Sequence, residues 1–91
     1  MPEIEVMMYT LSTCPWCRKT KQLFADRGVP FEFLDVDKLG RTERKEARDR
    51  IVELTGSLQY PVVIINGTVV QGYNPDQYAD LLETAGWKTE G

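Results

Sequence analysis

At the start of the chain Ile4, Val6 and Met8 alternate with Glu3, Glu5 and Met7 and run into Tyr9 and Thr10, the period-two pattern of a strand. The pattern stops at Leu11-Ser12-Thr13, which predicts a turn. From Pro15 to about Arg27 the residues are good helix formers. Proline suits the first turn because its missing N–H costs nothing there, Gly28 is placed just past the end, and Val29-Pro30 blocks any continuation. Phe31 to Val36 reads as a second strand. It is aromatic and apolar with Glu32 and Asp35 interspersed, and its lack of strict alternation predicts a central strand covered on both faces. A strand, a helix and a strand in succession predict a right-handed unit whose two strands run parallel.

The stretch Arg41 to Arg50 carries five basic and three acidic residues, which predicts a solvated helix face with a local surplus of positive charge available to an acidic partner. Ala47, Ile51 and Leu54 recur at helical spacing as a narrow apolar stripe, and Gly56 is the predicted stop. Pro61 precedes Val62-Val63-Ile64-Ile65, and Asn66-Gly67 separates that run from Thr68-Val69-Val70, the pattern of an antiparallel hairpin. Asn74-Pro75-Asp76-Gln77 combines a capping residue, a first-turn proline and an acid, and Tyr78, Leu81, Leu82 and Ala85 follow at helical spacing until Gly86. Trp87 to Gly91 is expected to be a mobile end. The predicted order is βαβαββα, an α/β fold with a four-stranded mixed sheet flanked by three helices, in one domain spanning residues 1–91 with no internal linker or repeat.

Composition narrows the chemistry. The chain of 91 residues is 42% hydrophobic and 27% charged, average for a globular domain that folds on a single core without disulfides or metal. Eleven basic against fourteen acidic residues leave a net charge of −3, the wrong sign for gripping phosphate backbones, so nucleic acid is not an expected partner. The absence of histidine removes Ser/His/Asp and Cys/His nucleophilic sites, histidine zinc sites and imidazole pH switching. The first residues hold no basic segment and no window approaches eighteen apolar residues, which predicts a soluble, cytoplasmic protein with no membrane partner. In that reducing compartment the only two cysteines, Cys14 and Cys17, are expected to be reactive rather than a permanent staple.

Cys14-Pro15-Trp16-Cys17 puts one thiol at the mouth of the first predicted helix and the second one turn further in. Unpaired N–H groups and the positive end of the helix dipole favour a thiolate at that mouth, and Arg18, Lys19 and Lys21 add positive charge. Cys14 is therefore expected to be the acidic, exposed nucleophile, and Cys17 the thiol that attacks a mixed disulfide on Cys14 and releases the reduced partner. A zinc site would lack two ligands, since the chain has no further Cys or His, and no metal is expected. Trp16 either covers apolar surface or meets substrate.

The segment Tyr9-Thr10-Leu11-Ser12-Thr13-Cys14-Pro15-Trp16-Cys17, then Tyr60-Pro61, then Gly72-Tyr73-Asn74-Pro75-Asp76 resembles the glutaredoxin family of the thioredoxin superfamily, from about Ile4 to Leu82. The resemblance implies a thioredoxin-like fold and a dithiol-disulfide oxidoreductase acting on protein or glutathione mixed disulfides. It also implies a cis-proline at Pro61 facing the cysteines and a Tyr60 backbone that pairs with extended substrate. Thr13, Pro15, Trp16, Tyr60, Pro61, Gly72, Tyr73, Asn74 and Asp76 are the implied substrate-binding residues, and no cofactor is tightly bound. The electron donor is implied to be glutathione, as co-substrate, or a thioredoxin reductase. The sequence departs from the family where glutathione is held: Leu11 replaces a common lysine, Gln59-Tyr60-Pro61 replaces Thr-Val-Pro, and Gln71-Gly72 replaces a Gly-Gly pair. Gly72-Tyr73-Asn74-Pro75-Asp76 is also similar to a signature of NrdH redoxins, which implies ribonucleotide reductase as a substrate. Two other readings compete with a monomeric reductase. One is a homodimeric carrier of a glutathione-held iron–sulfur cluster, against which Pro15 speaks. The other is a regulatory domain that holds a peptide between Trp16, Tyr60 and Tyr73.

Overall fold

The computed structural model describes residues 4–87, and the order of elements is the expected one. Strand β1 (Val6–Thr10) leads into helix α1 (Pro15–Asp26), strand β2 (Glu32–Asp35), helix α2 (Arg41–Thr55), the hairpin of β3 (Val62–Ile65) and β4 (Thr68–Gln71), and helix α3 (Pro75–Thr84). A single 3-10 turn, Val36–Lys38, that the hydrophobic pattern does not signal lies between β2 and α2. β1 pairs parallel with β2 and antiparallel with β3, and β3 pairs antiparallel with β4. The hairpin turns on Asn66 and Gly67, both at positive φ (47° and 87°), as a two-residue loop matched to strand twist requires.

The sheet order is β2-β1-β3-β4, which corrects the expectation that the second strand is central. β2 is an edge strand with Glu32 and Phe33 exposed. Its apolar run is misleading because Phe31 packs on one core cluster and Leu34 on the other, while Phe33 stays out at the rim. The central strands are β1 and β3, and β1 shows the clean alternation of buried and half-buried positions that its sequence predicts.

Two layers of helix cover the sheet. Val6, Met8, Phe24, Val29, Val63, Ile65, Val70, Tyr78 and Leu82 fill the face under α1 and α3. Val36, Ala47, Ile51 and Val62 fill the face under α2. Burying a side chain the size of Phe24 or Leu82 contributes about 2 kcal/mol, which is why these positions outweigh the charged surface in specifying the packing. α1 ends as Gly28 takes a left-handed φ of 69° and Val29 N–H reaches the carbonyl of Phe24 at 3.0 Å. Gly56 (φ 82°) ends α2 as expected. Trp87 does not belong to a mobile end: its N–H donates to the Leu82 carbonyl at 2.9 Å and its indole packs against the first core cluster. Residues 88–91, the rest of that predicted end, lie outside the described residues. Among the described residues no helix is long and apolar enough to cross a membrane.

Candidate active site

The C-terminal end of β1 and the mouth of α1 build the thiol site. Cys14 N–H donates to the Leu11 carbonyl at 3.2 Å, closing the turn that carries Ser12 and Thr13. Asp37, on the 3-10 turn, accepts from both the backbone N–H (2.8 Å) and the hydroxyl (2.5 Å) of Ser12. Those two hydrogen bonds hold the Asp37 carboxyl below its usual range and tie the turn to the end of β2. Cys14 is the N-cap of α1, with extended backbone (φ −85°, ψ 120°), and its side chain makes no capping hydrogen bond. Pro15 has no N–H, so the free donors of the first turn belong to Trp16 and Cys17, and the positive end of the helix dipole lies at Cys14. Cys14 is half-buried rather than exposed as expected, because it sits in the angle between the Leu11–Thr13 turn and the second thiol.

Cys17 is fully buried. Its sulfur accepts the Leu11 N–H at 3.4 Å, and Cys14 is its neighbour. Burial pushes the Cys17 thiol up to about 12, the Leu11 N–H offsets part of that, and the neighbouring Cys14 adds to it. Cys17 is therefore a thiol at neutral pH. Lys21, one helical turn deeper, acts in the opposite direction on Cys17 and pairs with Asp35 on β2 at 2.9 Å. Asp35 also accepts from the hydroxyl of buried Thr10 at 2.5 Å. Burial works to raise the Asp35 carboxyl, but Thr10 and Lys21 outweigh it and leave the group below its ordinary value.

The rim comes from the far side of the sheet. Tyr60-Pro61 is a cis peptide bond, as the resemblance implies, and Pro61 is fully buried ahead of β3. Burial raises the Tyr60 hydroxyl, Arg48 opposes that, and Cys17 and Asp37 add to it, which places Tyr60 within electrostatic reach of the thiols. Gly72 N–H donates to the Pro61 carbonyl at 2.7 Å, and Gly72 adopts a φ of 92°. The Gly72 carbonyl accepts from the buried Tyr78 hydroxyl, which anchors this rim to the first core cluster. Tyr73 then turns toward the cysteine helix and meets Trp16 with ring centroids 5.4 Å apart. Trp16 is 51% exposed, with Lys19 Nζ 4.8 Å above its ring, so it lines the rim beside Cys14 rather than covering core. Thr13 and Pro15 are exposed on the same approach.

Not every predicted residue is free to meet a ligand. Asn74 caps α3: its side-chain oxygen accepts from Gln77 N–H at 3.3 Å and its amide donates to Gln77 Oε1 at 3.1 Å. Asp76 is exposed in the first turn of α3. Leu11, where the family often has a lysine, packs against the second core cluster, as Tyr60 does. Lys21 adds positive charge near the thiols as expected, and three residues of structural consequence escape sequence reasoning: Thr10, Asp35 and Gln71. Gln71 donates to Thr55 Oγ1 (3.1 Å), the Ser57 carbonyl (3.0 Å) and the Gln59 carbonyl (3.3 Å), so the residue that breaks the Gly-Gly pattern braces the loop before cis-Pro61. Nothing in the local sequence signals these contacts, which join residues distant along the chain. A groove of about 590 Å³ opens at the opposite end of the sheet, between Ile4–Met7 and Pro30–Glu32, and carries no thiol.

The chain matches the glutaredoxin family model over residues 6–70. It is 31% identical to glutaredoxin 3 of Escherichia coli over 74 residues, covering 81% of this chain and 82% of that protein. Among solved structures it resembles a glutaredoxin of Archaeoglobus fulgidus with a TM-score of 0.80 and 39% identity, over 85% of this chain and 84% of the other. It resembles the methanoredoxin of Methanosarcina acetivorans with a TM-score of 0.81 and 37% identity, over 86% and 83% of the two chains. A paired thiol at a helix mouth, a cis-proline opposite it and this agreement in sequence and fold make one statement: the chain belongs to the glutaredoxin family, thiol-disulfide oxidoreductases of thioredoxin-like fold.

Proposed function

We propose that the protein reduces protein disulfides and glutathione mixed disulfides by a two-thiol route. The Cys14 thiolate attacks one sulfur of the substrate disulfide, forms a mixed disulfide and expels the other sulfur as a thiolate. Cys17 then gives up its proton and attacks Cys14 Sγ, which closes the Cys14–Cys17 disulfide and releases the second substrate sulfur as a thiol. Two electrons and the Cys17 proton pass from the pair to the substrate, and the sulfur expelled first takes any proton it needs from solvent. The observation that supports this division of labour is the asymmetry of the pair: Cys17 is buried and raised to about 12, whereas Cys14 is half-buried at the helix mouth and its side chain makes no capping hydrogen bond. A thiol held neutral cannot compete for the first attack, but it stands next to the sulfur it must attack second.

The external donor is glutathione or a thioredoxin reductase. The family supports glutathione, while Leu11 packed into the core and Asn74 spent on its helix cap leave fewer polar groups for it.

The test combines single variants with two donors. At neutral pH iodoacetamide is expected to alkylate Cys14 at least about a hundredfold faster than Cys17. Cys14→Ser is expected to abolish turnover, and Cys17→Ser to accumulate a mixed disulfide with a protein substrate, both read by mass spectrometry. Full disulfide reductase activity in Cys14→Ser would refute the mechanism. Reduction of the Cys14–Cys17 disulfide by glutathione in one cell, and by NADPH with thioredoxin reductase in another, assigns the donor. Reduction by the reductase alone makes ribonucleotide reductase the next substrate to try.

A further inference from the structure

The outer face of α2 has no part in the thiol chemistry above, yet it carries an ordered stripe of positive charge. Arg41, Arg44, Lys45, Arg48 and Val52 follow one another at helical spacing as a single stripe about 16 Å long. Together with Asp49 and Leu58 they line a groove of about 500 Å³. Its one carboxylate is already used, because Asp49 pairs with Lys45 at 2.8 Å. Among the described residues Arg41, Arg44 and Arg48 take part in no salt bridge, so three guanidinium groups stand uncompensated on a chain whose net charge is −3. The apolar end of the stripe is open as well: Val52 is 47% exposed and Leu58 is 39% exposed.

The groove also leads somewhere. Leu58 lies in the loop that Gln71 braces, two residues before Tyr60, and Arg48 is close enough to Tyr60 for its charge to act on the phenol. Leu58 thus joins the groove to the loop that carries Tyr60 and the cis-proline.

We propose that this groove docks an acidic, extended segment of a protein substrate, with carboxylates on Arg41, Arg44 and Arg48 and an apolar side chain on Val52 and Leu58, while the substrate's disulfide lies at Cys14. The inference rests on the disulfide-reductase reading above and adds the class of substrate. Five residues of extended chain, at about 3.3 Å each, span the stripe. Guanidinium groups suit the task because each forks onto a carboxylate through two N–H donors.

The test separates docking from chemistry. In the binding arm the wild-type protein, labelled with ¹⁵N, is titrated with a short peptide in which glutamates and aspartates flank one leucine and serine replaces the reactive cysteine. Amide shifts are expected to concentrate in residues 41–58, and the affinity to fall about tenfold when salt is raised from dilute buffer to physiological strength and above. A twin peptide with lysines for the acids is expected to leave those amides unmoved, which needs no protein variant at all. The double variant Arg41→Glu with Arg44→Glu, its fold checked by circular dichroism, is expected to lose at least about tenfold in affinity for the acidic peptide. In the chemical arm the same peptide carrying its disulfide is expected to be reduced with about tenfold higher kcat/KM than the lysine twin, and the double variant is expected to lose that preference while reducing a small neutral disulfide as fast as wild type. Equal binding of the two peptides, shifts away from α2, an unweakened double variant, or binding of a single-stranded oligonucleotide in place of the peptide would each overturn the docking proposal. Failure of the wild type to reduce the small disulfide would instead overturn the reductase reading.

Discussion

Nine buried residues fill the sheet face under α1 and α3, and four fill the face under α2. The first face is aromatic: Phe24 meets Tyr78 edge-on at 5.4 Å and Phe31 at 6.1 Å, and Tyr78 carries that packing on to Tyr73 at 6.4 Å. The second face is thin, and polar contacts hold its loops: Asp37 on Ser12 before the cysteines, and Gln71 on Thr55, Ser57 and Gln59 before the cis-proline. The thiols sit where the two halves meet. Packing buries Cys17 and the Tyr78 ring that anchors the Gly72 rim, whereas hydrogen bonds fix the turn ahead of Cys14 and the approach to Tyr60. Stability and substrate access are thus assigned to different faces.

The largest effect that would sharpen this contrast is expected at Phe24. Phe24→Ala removes a fully buried ring that touches two others and is expected to cost about 3–5 kcal/mol in urea unfolding. Ile51 is equally buried, but α2 has solvent on its outer side and can settle into the space, so Ile51→Ala is expected to cost about 2–3 kcal/mol. Equal losses at the two positions would break the comparison. A smaller effect tests the polar tie at the seam: Asp35→Asn keeps an acceptor for Thr10 but leaves Lys21 without its counter-charge, and is expected to cost about 1–2 kcal/mol at neutral pH. The Asp35 carboxyl lies below its ordinary 3.8 in the folded chain, so its contribution is present above that value and is lost as pH falls through and below it. Acid unfolding curves of Asp35→Asn and wild type are therefore expected to converge as pH falls below that ordinary value. Curves that stay parallel would show that the carboxylate charge does not stabilise the fold.

Much of this architecture is legible in the sequence because its signals are local. The first-turn proline at Pro15, the cap at Asn74, stops at Gly28 and Gly56, and the Asn66-Gly67 turn each depend on residues a few positions apart, and all are found as expected. The cysteine pair is equally legible, since spacing and helix position carry its chemistry. The place of β2 is not, because an apolar run looks the same whether its residues are shared between two clusters or enclosed by both. Asp35 and Gln71 are illegible for a different reason. A polar residue in a strand reads as solvated until the fold brings Thr10 and Lys21, or Thr55 and Ser57, against it. Trp87 was likewise hidden behind a polar tail that offers no periodicity.

The edge strand β2 has one further consequence. Its outer side offers unpaired backbone groups beside a half-exposed phenyl ring at Phe33, the combination through which sheets add foreign strands and aggregate. Lys21 Nζ lies 3.9 Å from the centre of that ring, and the strand is only four residues long with Glu32 exposed on it. A second chain pairing there would have to strip water from an ammonium group and a carboxylate at once. The lysine one turn below Cys17 therefore also works against a second chain adding to this edge of the sheet.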